Sequence, residues 1–271
     1  IFFSISQSYY FFVSWNTLIN VLPNIILVLN IIKLNAIDST NSYLKQLVRE
    51  TKVLDETVVI AESQLKGRGQ MGNKWQSETG QSLTFSMLKC FQNLKGDEQF
   101  MISMAVSLSI AEALDALNIP NTSIKWPNDI LSDNKKIGGI LIENVLEGSN
   151  IKYAIIGIGI NVNESSFNNL PQASSLKLQS GITFNLEEVF HNTINKVLKK
   201  LQNISTKEFL SLKNRYENRL FRKGRISVFE NLEGDRFNGI IKGVSNIGEL
   251  VVETENGSNQ YFQMKQVKLI Y

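Results

Sequence analysis

Residues 137–163 read IGGILIENVLEGSNIKYAIIGIGINVN, and this stretch decides the fold. Two apolar runs rich in isoleucine, residues 137–146 and 153–163, flank a Gly-Ser-Asn turn. Runs of β-branched residues that are bounded by turn residues are typical of strands. We therefore expect two buried strands here, in a chain that contains both helices and strands.

Further elements are predicted on the N-terminal and C-terminal sides of this stretch. Apolar residues at helical spacing predict helices over residues 40–50, 99–118 and 186–204. Residues 56–63 form a short β-branched run, and residues 82–88 alternate between apolar and polar side chains, which indicates a half-buried strand. Helices and strands thus alternate along the chain, as in α/β and α+β domains.

The pattern changes after residue 220. Residues 221–271 contain several short alternating strands joined by turns that contain glycine. Such closely spaced strands predict a small closed β-barrel appended to the larger domain. We therefore divide the chain into a domain over residues 33–220 and a second one over residues 221–271.

Composition excludes several classes of site. The 271-residue chain contains one cysteine, Cys90, and one histidine, His191, so an internal disulfide, a thiolate zinc cluster and a multi-histidine metal site are excluded. Lys and Arg exceed Asp and Glu by only 28 − 25 = 3, without a dense basic run. A major nucleic-acid surface is therefore not indicated.

The N-terminal segment, residues 1–32, is apolar and carries no charged side chain before Lys33. Its length would suit a membrane anchor, but no Lys or Arg precedes the apolar run as in a signal peptide. The first residue is Ile1, and the composition is typical of translated AT-rich DNA. We expect an over-extended or fragmentary terminus outside the fold, with a membrane segment or folded structure as the alternatives.

Four motifs carry candidate chemistry. They are the glycine-rich loop over residues 62–80, KWPNDI (125–130), NKKIGGILIE (134–143) and GIGINVN (157–163). Glycines let a backbone approach a ligand, and the neighbouring cations could hold a phosphate or carboxylate. Each motif alone also has a purely structural interpretation: a mobile connection, an ordinary turn, a solvated hairpin edge and a strand-ending turn. The loop matches neither the P-loop nor the dinucleotide-binding pattern.

The order of the motifs is more specific than any one of them. DSTN (38–41), GRGQMGNKW (67–75), KWPNDI, KKIGGILIE and GIGINVN, followed by a small barrel, resemble the biotin–protein ligase family over residues 33–271. The resemblance implies an α+β fold with a mixed sheet flanked by helices, like class II aminoacyl-tRNA synthetases, and a C-terminal barrel of the Src-homology-3 type. It also implies ATP with Mg²⁺, biotin as substrate, and a cytoplasmic location.

The reaction that the resemblance implies has two steps. Biotin and MgATP give biotinyl-5′-AMP and pyrophosphate, and a lysine of a biotin carboxyl carrier domain, such as that of acetyl-CoA carboxylase, then displaces AMP. The form of the family without a DNA-binding domain is indicated, because residues 1–32 have no charges to meet phosphates. No motif decides between a monomer and a homodimer.

Site residues are carried over where the motifs match. Lys136 and Arg68 are expected to be catalytic, neutralising the charge that develops on the α-phosphate and pyrophosphate, with each contact worth about 2–4 kcal/mol. The expected biotin-binding set is Ser39, Thr40, Asn41, Gln64, Gly67, Arg68, Gly69, Gln70, Lys136, Gly138, Gly139 and Leu141. The expected nucleotide-binding set is Arg68, Trp75, Asn128, Lys136 and Asn161. Asp129 is expected either to hold a metal ion or to orient Lys136.

The loop departs from the commonest family pattern, GRGRxxR, because Gln70 and Asn73 replace two arginines. We expect weaker ATP binding or adenylate retention, without loss of activity. The rival interpretations are a lipoate– or octanoate–protein ligase and a non-catalytic binding protein that has kept the fold.

Overall fold

The computed structural model describes residues 13–22, 25–168 and 170–271. Its strands are β1 Val13–Leu22, β2 Ile25–Ile37, β3 Val58–Gln64, β4 Ser82–Cys90, β5 Thr122–Lys125, β6 Asp129–Ser132, β7 Lys135–Glu147, β8 Asn150–Asn161, β9 Ile226–Asn231, β10 Arg236–Val244, β11 Leu250–Thr254, β12 Asn259–Phe262 and β13 Val267–Ile270. Its α-helices are α1 Thr40–Glu50, α2 Phe100–Ala116, α3 Leu176–Ser180, α4 Leu186–Gln202 and α5 Phe209–Asn218.

The first eight strands form one mixed sheet in the order β1-β2-β3-β4-β8-β7-β6-β5. β2 and β3 pair in parallel, and the other neighbours pair antiparallel. β7 and β8 form the long central hairpin, with Gly139 opposite Gly159 and Leu141 opposite Gly157. The two buried strands that the sequence predicts at 137–146 and 153–163 are confirmed, as is a mixed sheet with helices.

Helices cover both faces of this sheet. α2 is buried and packs with α4 and α5 on one face, where Phe85 of β4 meets Phe190 of α4 edge to face at 5.2 Å between ring centroids. The helical segment Gly96–Ala116 is apolar and long enough to cross a membrane, but 72% of its most apolar 18-residue stretch is buried inside the molecule. α1 packs on the opposite face, where Leu44 is buried against Leu34 and Val59.

β4 corrects one prediction. Its alternating sequence predicted a half-buried strand, yet residues 82–89 are all buried. The polar positions, Thr84 and Ser86, lie on the α1 side of the sheet, where both make hydrogen bonds and Thr84 lines the cavity described below. The apolar side chains of β4 face the core, and the polar ones face the side of the binding site, whereas the prediction had the polar ones facing solvent.

The remaining five strands form a separate antiparallel sheet in the order β12-β11-β10-β9-β13. Phe229 and Phe237 stack inside it at 5.5 Å between ring centroids. It contacts the larger part of the molecule directly. Trp126 Nε1 donates to the carbonyl of Gly248 at 2.9 Å, and the Val244 amide donates to Glu217 Oε1 at 3.0 Å.

The expected exclusion of residues 1–32 needs correction at its C-terminal end. β2 begins at Ile25 and pairs with β3, and the side chains of Leu29 and Ile31 are each 1% exposed. This apolar run is placed inside the sheet because burying it removes apolar surface from water. β1 pairs with β2 over residues 13–22, while residues 1–12 and 23–24 lie outside the described residues.

Candidate active site

A cavity of about 250 Å³ opens on the α1 face of the large sheet. The start of α1, strands β4, β7 and β8, the glycine-rich loop and the turn at residues 125–129 form its walls, and Met264 and Lys265 border it from the smaller sheet. Most of the predicted site residues line it: Ser39, Thr40, Asn41, Gln64, Arg68, Gly69, Gln70, Trp75, Asn128, Asp129, Lys136, Gly139 and Leu141.

Three predicted residues do not line the cavity: Gly67, Gly138 and Asn161. Asn161 is buried at the end of β8, and its side-chain amide donates to the carbonyl of Ser174 at 2.9 Å. This hydrogen bond holds the segment that follows β8, and the nucleotide contact expected of Asn161 stays a prediction. A Cβ at Gly138 would lie 3.1 Å from the Gly159 carbonyl oxygen, and one at Gly67 would collide with the Trp75 carbonyl. These two glycines permit close backbone packing around the site.

One end of the cavity is a buried polar network. Gln64 Oε1 accepts from the Thr40 amide at 2.8 Å and from Thr40 Oγ1 at 3.2 Å, and thereby satisfies an amide at the start of α1. Thr40 Oγ1 lies 2.7 Å from Ser86 Oγ, and Ser86 Oγ donates to Asn41 Oδ1 at 2.5 Å. Donors and acceptors packed this densely suit a ligand that itself carries both N–H and C=O groups.

Glu143 continues this network toward the glycine-rich loop. It accepts from Asn41 Nδ2 at 3.2 Å and Lys45 Nζ at 3.0 Å, and Arg68 Nη2 lies 3.5 Å away. Burial acts to raise the pKa of Glu143, but the Lys45 and Asn41 hydrogen bonds and the Arg68 charge outweigh it and hold the pKa below its usual value. Arg68 also donates to Ser42 Oγ at 3.2 Å. Its guanidinium is thus held against the α1 side of the site.

Lys136 and Asp129 meet at the centre of the cavity. Lys136 Nζ lies 2.6 Å from Asp129 Oδ1, and Lys125 Nζ lies 3.8 Å from Asp129 Oδ2. The ladder between β6 and β7 contains an irregularity that places Asp129 opposite Gly139 but Leu131 opposite Lys136. An extra residue in one strand brings Lys136 to the same face as Asp129, which a regular strand would not do.

The same contacts favour one of the two roles expected for Asp129. Its carboxylate is engaged by two ammonium groups, which orients Lys136. No group of three or more His, Cys, Asp or Glu side chains that could hold a metal ion occurs within the described ranges. Burial lowers the pKa of Lys125, Asp129 acts against this, and the charges of Lys136 and Lys268 lower it further.

Trp75 lies over a floor made by two glycines. A Cβ at Gly159 would lie 2.5 Å from Trp75 Cζ2, and one at Gly139 would lie 3.3 Å from Cζ3, so the indole needs both glycines. Lys136 Nζ is 6.0 Å from the indole ring centroid. Trp75 Nε1 is buried, and it has no hydrogen-bond partner within the described part of the chain. A ligand acceptor that reaches Trp75 Nε1 would give this buried donor the hydrogen bond that it otherwise lacks.

The loop that carries Trp75 is a narrow hairpin. The Trp75 amide donates to the Gly67 carbonyl at 2.9 Å, and the Gly69 amide donates to the Asn73 carbonyl at 2.7 Å. Met71, at the tip, has a φ of 54°, and its carbonyl accepts from Lys265 Nζ at 3.0 Å. The smaller sheet therefore touches the loop directly.

Comparison with known proteins identifies the family. Residues 34–161 match the model of the Biotin/lipoate A/B protein ligase family. The chain is 30% identical over 237 residues to the bifunctional ligase/repressor BirA of Salmonella typhimurium, covering 83% of this chain and 70% of that protein. The chain belongs to the biotin–protein ligase family. Biotin--[acetyl-CoA-carboxylase] ligase of Mycobacterium tuberculosis is 29% identical over 141 residues, or 51% of each chain.

A solved member of the family gives the same fold. The biotin protein ligase of Aquifex aeolicus, solved in complex with biotin and ATP, superposes with a TM-score of 0.72 at 30% identity, over 89% of this chain and 98% of that one. The chain spans 64% of the length of two Bacillus proteins that also carry the name bifunctional ligase/repressor BirA.

Sequence reasoning overlooked several residues that the fold of this biotin–protein ligase family member brings to the site. Ser86 and Glu143 join the polar network, and Lys125 shares Asp129 with Lys136. The alternation of β4 could have indicated Ser86, and Lys125 lies within the quoted KWPNDI motif. Met264 and Lys265 carry no local signal, because only the packing of the smaller sheet brings them to the cavity.

Proposed function

We propose that the protein activates biotin with MgATP and transfers it to a lysine of a biotin carboxyl carrier domain, such as that of acetyl-CoA carboxylase. The observation that carries the proposal is one cavity that joins the Gln64–Thr40–Ser86 network to the Lys136–Asp129 pair. The network offers partners for the ureido group of biotin. The ion pair lies where a carboxylate and a phosphate would meet.

In the first step, an oxygen of the biotin carboxylate attacks the α-phosphorus of ATP. The bond to the bridging oxygen breaks, and pyrophosphate leaves with the electron pair. The nucleophile is already ionised, so no side chain has to accept a proton. Lys136 supplies positive charge where negative charge develops, and Asp129, 2.6 Å away, fixes its position.

In the second step, the acceptor lysine attacks the acyl carbon of biotinyl-5′-AMP as a neutral amine. The bond from that carbon to the phosphate oxygen breaks, AMP leaves, and the amine proton passes to water. The glycine-rich loop with Trp75 lines the cavity, and its closure over the bound adenylate would exclude water from the mixed anhydride before the carrier arrives.

Arg68 has a different role in this proposal from the one expected first. Its contacts with Glu143 and Ser42 close the loop against α1, so it stabilises the covered state of the site. Lys136, and not Arg68, supplies the positive charge at the phosphates. The replacement of loop arginines by Gln70 and Asn73 then affects retention of the adenylate more than the chemical step.

The finer features of the fold belong to the same proposal. The eight-stranded sheet with α1, α2 and α4 supports a class II synthetase-like catalytic domain ending near residue 220. The five-stranded antiparallel sheet over residues 226–270 supports a Src-homology-3-type barrel domain. A cytoplasmic location and the absence of a nucleic-acid partner remain predictions, as does the choice between monomer and homodimer.

The test is ATP–pyrophosphate exchange on the full chain with biotin, lipoate and octanoate compared. The proposal expects exchange that depends on biotin and is absent with the other two acids. Exchange with lipoate or octanoate alone would make the protein a ligase for those acids. Absence of exchange with every acid, from folded protein that still binds biotin, would support a binding protein instead.

A further inference from the structure

Lys125 lines the cavity, and it shares its nearest carboxylate, that of Asp129, with Lys136. It is the last residue of β5, its side chain is 25% exposed, and its ammonium lies 3.8 Å from Asp129 Oδ2. Lys136 takes the other oxygen of the same carboxylate at 2.6 Å. Within the described ranges, no other carboxylate lies within 4.0 Å of either ammonium. The three side chains therefore hold one net positive charge in a partly buried place.

The position of Lys125 is fixed from the side of the smaller sheet. Its Nζ lies 5.1 Å from the centroid of the Tyr271 ring, and that ring packs edge to face on Phe221 at 5.0 Å. Gln172 Nε2 donates to the Tyr271 carbonyl at 3.1 Å. An aromatic face attracts a cation but does not neutralise it, so the charge remains available to an anion.

The strand order places this charge at one end of a line of functional groups. Ser86 lies on β4, Trp75 covers Gly159 on β8, Lys136 lies on β7, Asp129 on β6 and Lys125 on β5. Adjacent strands are spaced by about 4.8 Å, so the line extends across the sheet from the polar network to β5. A ligand whose ureido end lies at the polar network, beside Thr84 of β4, and whose reacting end meets Lys136 has its next group toward β5.

We propose that Lys125 is a phosphate-binding residue that holds the two phosphates beyond the reacting one and retains them as pyrophosphate leaves. This inference rests on the proposed function, because it assigns the nucleotide end of the same cavity. It gives the net positive charge of the triad a specific partner. Lys136 acts on the α-phosphate, and Lys125 acts on the leaving group.

The inference is tested by titrating inorganic pyrophosphate with Mg²⁺ into the full chain, followed by calorimetry. Lys125→Met removes the charge and keeps most of the stem, and Lys125→Arg keeps the charge. Lys152→Met is the matched control, since it loses the same charge near the start of β8, where Lys152 pairs with Glu147 at 2.5 Å. Circular dichroism on each variant checks that it is folded.

We expect Lys125→Met to weaken pyrophosphate binding about 10-fold and to raise the KM for MgATP by a similar factor. The Kd for biotin measured without nucleotide should change less than about 2-fold, because the polar network is untouched. Lys125→Arg should restore pyrophosphate affinity to within about 3-fold, and Lys152→Met should match the parent protein.

Two results would overturn the inference. One is a parent protein that does not bind pyrophosphate, or a Lys125→Met variant that binds it as tightly. The other is a variant in which kcat falls while the KM for MgATP stays constant, since that pattern would make Lys125 a positioning residue for Asp129. Pyrophosphate binding without biotin-dependent exchange would instead contradict the proposed function, and the titration would still decide on Lys125.

Discussion

Lys136 Nζ and Asp129 Oδ1 lie 2.6 Å apart across the irregular β6–β7 ladder. The pair is about one-third exposed at Lys136 and less than one-fifth exposed at Asp129, so it is only partly screened by water. A lysine side chain is a flexible four-carbon stem, and the Asp129 carboxylate holds the Lys136 ammonium in one position. Catalysis by positive charge depends on that position.

Asp129→Asn is expected to lower kcat for adenylation by about 10- to 100-fold without raising the KM for MgATP. The substitution leaves two lysines without a carboxylate, so phosphates are bound at least as tightly while Lys136 loses its fixed position. Steady-state exchange kinetics measure both constants. Asp133→Asn, at the β6–β7 turn, is the matched control and should leave them unchanged. A raised KM with unchanged kcat would contradict the positioning role.

Gln64→Ala is expected to weaken biotin binding by about 1–3 kcal/mol, or roughly 5- to 150-fold in Kd. The change removes the acceptor of the Thr40 amide and hydroxyl, and the polar end of the cavity then lacks a matched partner for the ureido group. Calorimetry with biotin alone measures the effect. Gln46→Ala, on the exposed face of α1, is the control, and equal Kd values for both variants would refute the ureido assignment.

Gly159→Ala tests the seat of Trp75. A Cβ at Gly159 overlaps the Trp75 indole, so the indole must move away from β8. The glycine-rich loop then loses its packing contact with that strand. We expect the KM for MgATP to rise about 10-fold, while Gly96→Ala, whose Cβ has ordinary contacts, should have little effect. In a Trp75→Ala background the Gly159→Ala effect should largely vanish. Simple additivity of the two substitutions would contradict a steric cause.

Glu164 gives a prediction on pH and stability. Its side chain accepts from Ser82 Oγ at 2.6 Å and from the Glu78 amide at 3.2 Å. Burial raises its pKa; the two hydrogen bonds oppose that effect, and the charge of Glu78 adds to it. The folded state therefore favours the protonated acid, and stability falls as pH rises from the unfolded pKa through the folded one.

Glu164→Gln keeps an acceptor for both hydrogen bonds and removes the buried charge. We expect its Tm to exceed that of the parent protein by about 2 °C at pH 7, with the difference disappearing near pH 4. Thermal unfolding at several pH values measures this. Glu233→Gln, on an exposed turn, should show no such trend, and a Glu164→Gln variant that is less stable at pH 7 would contradict the assignment.

The sequence was sufficient for most of the cavity lining and for the elements α1, α2, α4, β3, β4, β7 and β8, but it did not indicate β5, β6 or α5. α1 begins and ends where the periodicity predicts, because its apolar face is a local feature, although the amide at its start is satisfied by Gln64, 24 positions later. Lys136 and Gln64 are in the cavity because their motifs mark the ends of strands that the sheet brings together, and Trp75 reaches it from the glycine-rich loop that follows β3.

Partners across the fold could not be predicted in the same way. Arg68 pairs with Glu143, which lies 75 positions later in the chain, and the ammonium of Lys125 packs on the ring of Tyr271. Such pairs depend on sheet order and on the packing of the smaller sheet. The hydrogen bond from Asn161 to the Ser174 carbonyl is a further contact that the motif did not indicate.

The most direct measurement is biotin-dependent ATP–pyrophosphate exchange by Lys136→Ala beside Lys135→Ala. The two variants lose the same charge from neighbouring positions of β7, but only Lys136 contacts Asp129, while Lys135 Nζ donates to the Pro171 carbonyl at 2.5 Å. We expect exchange to fall at least about 100-fold in Lys136→Ala and to stay within about 3-fold of the parent protein in Lys135→Ala. Equal exchange by the two variants would contradict it.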